Sequence, residues 1–207
     1  MSIAQESERE KLVRDAEIRA FLDELYESGK QNDAREQERS KKMLNLELDT
    51  ARFLHILIRS TRRTRLLEIG TSNGYSTIWL AWAASTNGGQ VISIDRDAHK
   101  QALADANLRQ VGLRELVDLK CGDATEIVAG LPGPFDGVFF DADRYSAPAQ
   151  LALLIPKLAP DILLLADNVL SHPDEIAGYL QALESLSQFE RVILSTGKGL
   201  SVAYRSS

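Results

Sequence analysis

A chain of 207 residues with a formal net charge of −6 is long enough for one domain with a substantial core and too short for two comfortable ones. Hydrophobic residues at 44% and charged residues at 26% are ordinary for a globular protein, and the acidic balance excludes a broad nucleic-acid-binding face. The single cysteine, Cys121, excludes an internal disulfide, no apolar run approaches the roughly 20 residues of a membrane span, and the N-terminal MSIAQESEREK lacks an apolar signal core; a cytoplasmic location without membrane contact is expected.

From Ser2 to about Lys42 the chain is rich in Glu, Asp, Arg and Lys, with Ile18, Phe21, Leu22 and Leu25 spaced as one narrow apolar stripe of a helix. The stripe stops near Gly29, and the polar SGKQNDAREQERSKK is expected as an exposed helix or a mobile segment. Residues 1–42 thus form a charged helical extension to a domain spanning 43–207. LDTARFLHILIRS is the next amphipathic helix, with Asp49 or Thr50 as its cap, and RSTRRTR (Arg59 to Arg65) is expected as a solvated turn.

From there the pattern alternates. Strands are expected at Arg65–Gly70, Gln90–Asp95, Leu116–Gly122, Phe135–Asp143 and Asp161–Asn168. Helices are expected between and after them at Ser76–Ser85, Asp97–Val111, Ala124–Ala129, Ala147–Leu158 and Pro173–Leu186. Strands apolar on both faces that alternate with helices indicate an α/β fold, with a doubly wound parallel sheet covered on both sides. The tail RVILSTGKGLSVAYR carries two β-rich runs around Gly197-Lys198-Gly199, a hairpin signal that adds an antiparallel strand. Cys121, beside Gly122, is expected as a buried, inert thiol. Trp79 and Trp82 have the spacing of helix-packing residues, and His172 that of a loop residue before Pro173.

Ligands of such sheets sit outside the carboxyl ends of the strands. Those ends carry Glu68-Ile69-Gly70, Asp95, Gly122-Asp123, Asp141-Ala142-Asp143 and Asp167-Asn168. At the first, Gly70 and Gly74 allow a tight turn and close approach of a ligand, and the helix near Ser76 points its free N–H groups into that turn. A dinucleotide fingerprint wants a glycine where Ser72 stands, and Glu68 places a carboxylate at the pocket edge, which suits an ammonium better than a pyrophosphate. Asp95, about 25 residues on, suits the two hydroxyls of a ribose. A nucleoside with an amino-acid tail and a positive charge is S-adenosylmethionine. Any lone glycine pair is more often a plain strand–helix turn; the acidic residues at successive strand ends favour the cofactor.

Asp141, Asp167 and Asn168 supply two carboxylates and one amide carbonyl from two neighbouring strand ends. Such all-oxygen donors suit Mg²⁺, Mn²⁺ or Ca²⁺, although a single strand-end Asp is more often a cap or turn former. An acceptor with two adjacent hydroxyls would chelate that ion.

LLEIGTSNGYST, followed by ISID, GDA, FFDAD and LLLADNVL, resembles the metal-dependent O-methyltransferases, the group of catechol and caffeoyl-CoA O-methyltransferases and their bacterial relatives. The resemblance covers roughly Leu44 to the C-terminus and implies a Rossmann-like class I methyltransferase fold. It implies that Glu68, Gly70, Gly74, Tyr75 and Ser76, with Ser72 in the same turn, hold the methionine part of the cofactor. Asp95 would take the ribose, and Asp123 and Ala124 would lie against the adenine. Leu46 would line the pocket, and Asp141 would serve both cofactor and metal. The same three metal ligands are implied, with Mg²⁺ foremost, and the N-terminal helix would be a lid or the arm of a homodimer. The family's general-base lysine falls at Arg144, which cannot take a proton. Three roles stay open: Arg144 steadies an oxyanion, Asp143 accepts the proton, or Arg144 grips an anionic acceptor.

The expected function is transfer of a methyl group from S-adenosylmethionine to a hydroxyl of a small, catechol-like acceptor with divalent-metal assistance. The alternatives are a cofactor-binding protein with altered or lost catalysis, and a nicotinamide-dependent oxidoreductase.

Overall fold

A computed structural model describes residues 3–207; Met1 and Ser2, where the N-terminal extension begins, lie outside the described residues. The extension is one long helix, α1 (Ile3–Arg35), followed by a short 3₁₀ turn at Arg39–Lys41 and by α2 (Leu48–Ser60). The alternating part then runs β1 (Arg65–Ile69), α3 (Tyr75–Ser85), β2 (Gln90–Asp95), α4 (Ala98–Gln110), β3 (Val117–Cys121), α5 (Ala124–Gly130), β4 (Phe135–Phe140), α6 (Ala147–Leu154), β5 (Leu158–Ala166) and α7 (Pro173–Glu184). The tail is the hairpin β6 (Glu190–Leu194) and β7 (Leu200–Arg205).

The strands form one seven-stranded sheet in the order β3-β2-β1-β4-β5-β7-β6. β1 to β5 are parallel, and β7 enters antiparallel between β5 and β6. The order reverses between β1 and β4, so the crevice for a ligand lies beyond their carboxyl ends.

Alternation along each strand decides which residue faces which layer. Leu66, Val91, Phe139 and Leu165 point into a core shared with α1 to α4, while Leu67, Ile94, Val138 and Leu164 point into the core beneath α5 to α7. The extension belongs to the first core: Ile18 and Leu22 are buried there, and Asp15 Oδ1 accepts a hydrogen bond of 2.7 Å from Trp82 Nε1.

Several expectations need correction. α2 starts after Glu47, which has the N-cap position without a side-chain cap; Asp49 falls in the first turn, and Thr50 is buried with its hydroxyl against Thr196. α6 stops at Leu154 because Pro156 cannot donate to the helix ladder, and a 3₁₀ turn at Ile155–Lys157 follows. β4 ends at Phe140, leaving Asp141–Asp143 in the loop beyond it. Arg63 does not belong to a solvated turn: it is 4% exposed, pairs with Asp161 at 2.8 Å and lies over the Tyr204 ring. Cys121 is exposed, because β3 is the edge of the sheet.

Candidate active site

Backbone hydrogen bonds join the carboxyl ends of the parallel strands into one rim. Gly122 N donates to Asp95 O, Gly70 N to Ile94 O, Asp141 N to Ile69 O and Asp167 N to Phe140 O, all at 2.8–3.0 Å. Gly70, with φ +112°, is the closest point of the rim: a Cβ there would overlap the Asp141 carbonyl. The turn after β1 and the acidic loop after β4 therefore touch through bare backbone.

In that turn Ser72 has φ +47° and Gly74 φ +85°. The Ser72 N–H donates to Asp95 Oδ2 at 2.8 Å, and the Asp97 N–H donates to Asp95 Oδ1 at 3.0 Å. Each Asp95 oxygen thus has one backbone partner and spare lone pairs. Gly74 caps α3 and lies against Ala104, where a Cβ would come within 3.0 Å of the Ala104 Cβ. The turn is roofed by the segment before α2. Ser72 Oγ donates to Met43 O at 2.7 Å, Lys100 Nζ to Lys42 O at 2.8 Å, and Asp33 accepts from Met43 N and Leu44 N. Leu46, 3% exposed, joins the core of Ile18 and Leu22.

Glu68 is not at an open edge. It is wholly enclosed, and its carboxyl accepts from Ser76 Oγ at 2.5 Å, from Ser93 Oγ at 2.6 Å and from Thr77 Oγ1. Burial pushes it up to about 7, against the pull of those three hydroxyls. Its place is behind the turn, where it fixes Ser76 and Thr77 at the start of α3. Thr71, Ser93 and Gln101 extend this buried polar network. Tyr75 also turns inward: it is 1% exposed, its ring lies 5.7 Å from that of Tyr26, and burial pushes its hydroxyl up to about 12. At the end of β3, Asp123 Oδ1 caps α5 through Thr125 N and Glu126 N, with Ala124 beside it at the start of the helix.

The other half of the rim is acidic. Asn168, at φ +67°, donates through Nδ2 to Asp141 Oδ1 at 3.1 Å and to Asp167 Oδ2 at 2.8 Å. Asp167 is 3% exposed, and its Oδ1 is buried without a partner. Burial, and then the charge of Asp167, holds Asp141 well above the usual carboxylate range. Burial, and then the charge of Glu47, pushes Asp167 up to about 6. Lys198, in the β6–β7 turn, pairs with Glu47 Oε1 at 2.8 Å. Burial pulls Lys198 down, but Glu47 with Asp167 and Asp141 outweighs it and holds the ammonium above its ordinary value.

Arg144 does not face open space. Its Nε and Nη2 both donate to Glu175 Oε2, at 2.8 and 2.6 Å, and its side chain is 11% exposed. Asp143 is occupied as well, accepting from Tyr145 N and Ser146 Oγ. His172 lies at the start of α7 against Ser171, and His55 is buried against Trp79 and Trp82.

A family model described as "Methyltransferase domain" matches residues 67–169, from β1 through both acidic loops. Residues 67–169 belong to the methyltransferase-domain family. It is 38% identical over 125 residues to a catechol O-methyltransferase of Niastella koreensis, a match covering 58% of this chain and 55% of that protein. It is 34% identical over 120 residues to a catechol O-methyltransferase of Mycobacterium tuberculosis, covering 58% and 54%. Among solved structures it is similar to the O-methyltransferase TomG of Streptomyces achromogenes in complex with SAM, at 27% identity and a TM-score of 0.70, covering 79% of this chain and 82% of that one. The chain spans about half the length of the curated relatives it matches. A methyltransferase domain sets aside the nicotinamide alternative.

The donor set of this methyltransferase domain suits a hard divalent cation. Two carboxylates share one amide, and Asp167 Oδ1 is a buried acceptor with nothing to accept from. Among the described residues no three His, Cys, Asp or Glu side chains group as metal ligands, so the amide of Asn168 is the third donor or there is none. No helix of the described residues is long and apolar enough to cross a membrane. Sequence reasoning missed Ser93, Thr71, Gln101, Glu175 and Lys198. Of these, only Lys198 left a signal, as a lysine between two glycines in a hairpin turn.

Proposed function

We propose that the chain is an S-adenosylmethionine-dependent O-methyltransferase that moves a methyl group to a hydroxyl of a small, catechol-like acceptor with divalent-metal assistance. The observation that carries this reading is the contact of Gly70 with the Asp141 backbone. It puts a turn suited to a nucleoside amino acid directly beside a pair of carboxylates suited to a metal and its chelated diol.

Asp95, with a lone pair left on each oxygen, binds the ribose hydroxyls, and Asp123 and Ala124 bound the adenine side. The free N–H groups at the start of α3, where the Ser76 and Thr77 hydroxyls are tied from behind to Glu68, face the methionine part. Asp141, Asp167 and Asn168 would hold the metal, which when bound supplies a positive charge that acidifies an acceptor hydroxyl. The acceptor oxygen then bonds to the methyl carbon as the carbon–sulfur bond breaks, and the hydroxyl proton leaves to solvent; the protein's share is proximity and alignment. Arg144 takes no proton and is tied to Glu175, so its part is to hold α7 against the loop that carries Asp141.

The Arg144–Glu175 pair also favours a second reading, a domain that binds the cofactor and has lost turnover. Calorimetric titration with S-adenosylhomocysteine, followed by transfer of labelled methyl to catechol with and without Mg²⁺, separates the two. One cofactor product per chain and a methylated diphenol are expected. Normal product binding with no transfer to any diphenol leaves the second reading, and no binding at all refutes both.

A further inference from the structure

We propose that Lys198 is the resident counter-cation of the Asp141–Asp167 pair, and that a divalent ion enters this site only in competition with it. This rests on the metal reading above and adds what sets the metal's affinity.

The hairpin turn that carries Lys198 is inlaid between the two segments that frame the acidic site. On one side the Lys198 carbonyl accepts from Leu170 N at 3.0 Å and Ser171 N at 3.1 Å, and the Gly199 carbonyl accepts from Val169 N at 3.1 Å. These donors directly follow Asp167-Asn168. On the other side Gly197 lies against the start of α2, where a Cβ would come 2.7 Å from Thr50 Oγ1 and 2.8 Å from Glu47 Oε2. Gly197 and Gly199 both have positive φ, and a Cβ at Gly199 would overlap Leu170. A turn gripped on both sides and flanked by two such glycines holds its one long side chain in a narrow place.

Charge gives that place a purpose. Glu47, Asp141 and Asp167 bring three carboxyl groups to this end of the sheet, and two of their oxygens, Glu47 Oε2 and Asp167 Oδ1, are buried without a partner. Burying like-charged carboxyl groups is costly unless a cation is close. Arg144 is spent on Glu175, whereas Lys198 is anchored at Glu47 Oε1 on a turn whose backbone is hydrogen-bonded to Val169, Leu170 and Ser171, the residues that directly follow Asp167-Asn168. An ammonium already there repels an incoming dication, and removing it lowers that barrier.

The test is calorimetric titration of Mn²⁺ into protein saturated with S-adenosylhomocysteine, for the wild type, Lys198→Gln, Lys198→Arg and Lys198→Gln with Asp141→Asn. Lys198→Gln should bind one ion at least tenfold more tightly than the wild type. Lys198→Arg, which keeps the charge, should stay within threefold of it, and the double variant should bind none. One ion bound with equal affinity by the wild type and Lys198→Gln would overturn the role of Lys198 and leave the metal site standing. No ion in any variant, with the cofactor product bound normally, would overturn the metal reading and this proposal with it. Failure to bind the cofactor product would instead strike the cofactor reading. Lys198 is half-exposed, and equal melting temperatures across the set check that every variant is folded.

Discussion

The two halves of the rim are finished to different degrees. Beyond β1, β2 and β3 the polar groups are largely paired within the protein: Glu68 has three hydroxyl donors, Asp95 two backbone amides and Asp123 a helix cap. Beyond β4 and β5 two carboxyl groups share one amide, an acceptor of Asp167 has no donor, and both aspartates are held above their ordinary range. A half whose polar groups are already paired keeps its shape without a ligand. An under-paired half stores an unmet need for positive charge, and such places are where ions and reacting groups are taken up. Rigidity and appetite are thus divided between neighbouring strand ends.

The comparison breaks most severely at the seam. Gly70→Ala forces a Cβ into the Asp141 carbonyl at a φ that L residues avoid, and should cost at least about 3 kcal/mol in denaturant unfolding, loosening both halves together. Asp167→Ala should abolish metal-dependent turnover, a fall of at least about 100-fold, while the affinity for S-adenosylhomocysteine stays within a few-fold. Retained turnover in that variant would end the metal assignment. Asp95→Asn is its mirror on the paired half. It should weaken the cofactor product by about tenfold in calorimetry, since one acceptor oxygen becomes a donor, and leave Mn²⁺ binding unchanged.

Glu68 gives an effect whose sign follows from the direction of its shift. Its carboxyl is raised from 4.5 to about 7 in the folded chain, so between those values the folded state holds a proton that the unfolded state has lost. Its contribution is therefore full below about pH 4.5 and disappears as the pH rises towards 7, by about 2 kcal/mol between pH 5 and pH 7. Glu68→Gln should flatten that slope in unfolding curves taken across the window; an unchanged slope would mean that the buried carboxyl is ionised throughout.

The doubly wound sheet was legible because its signals are local. Apolar runs such as ILLLA, helices with one buried face and glycines at turns each occupy fewer than about 15 neighbouring residues, where backbone periodicity is expressed directly. Asp95 and Asp123 at strand ends were legible for the same reason, as was the hairpin around Lys198. Which way Glu68 faces was not, because it depends on Ser93, a residue of another strand. Nor was the loss of Arg144 to Glu175, 31 residues away, or the tie of Lys198 to Glu47, 151 residues away. Cys121 was misplaced because edge and centre of a sheet differ only in strand order, which no single strand encodes.

By itself the sequence determined the alternation of strands and helices, the glycine turn after the first strand and the set of acidic residues at the strand ends. Tertiary structure alone decided which of those acids are enclosed, which share a proton donor and which cation stands among them. The physical reason is that secondary structure follows from torsional preference and periodic burial along the chain. The charge state of a carboxyl group follows from what the folded chain brings within a few ångströms of it, and in this protein those neighbours range from Ser76, 8 residues from Glu68, to Lys198, 151 residues from Glu47.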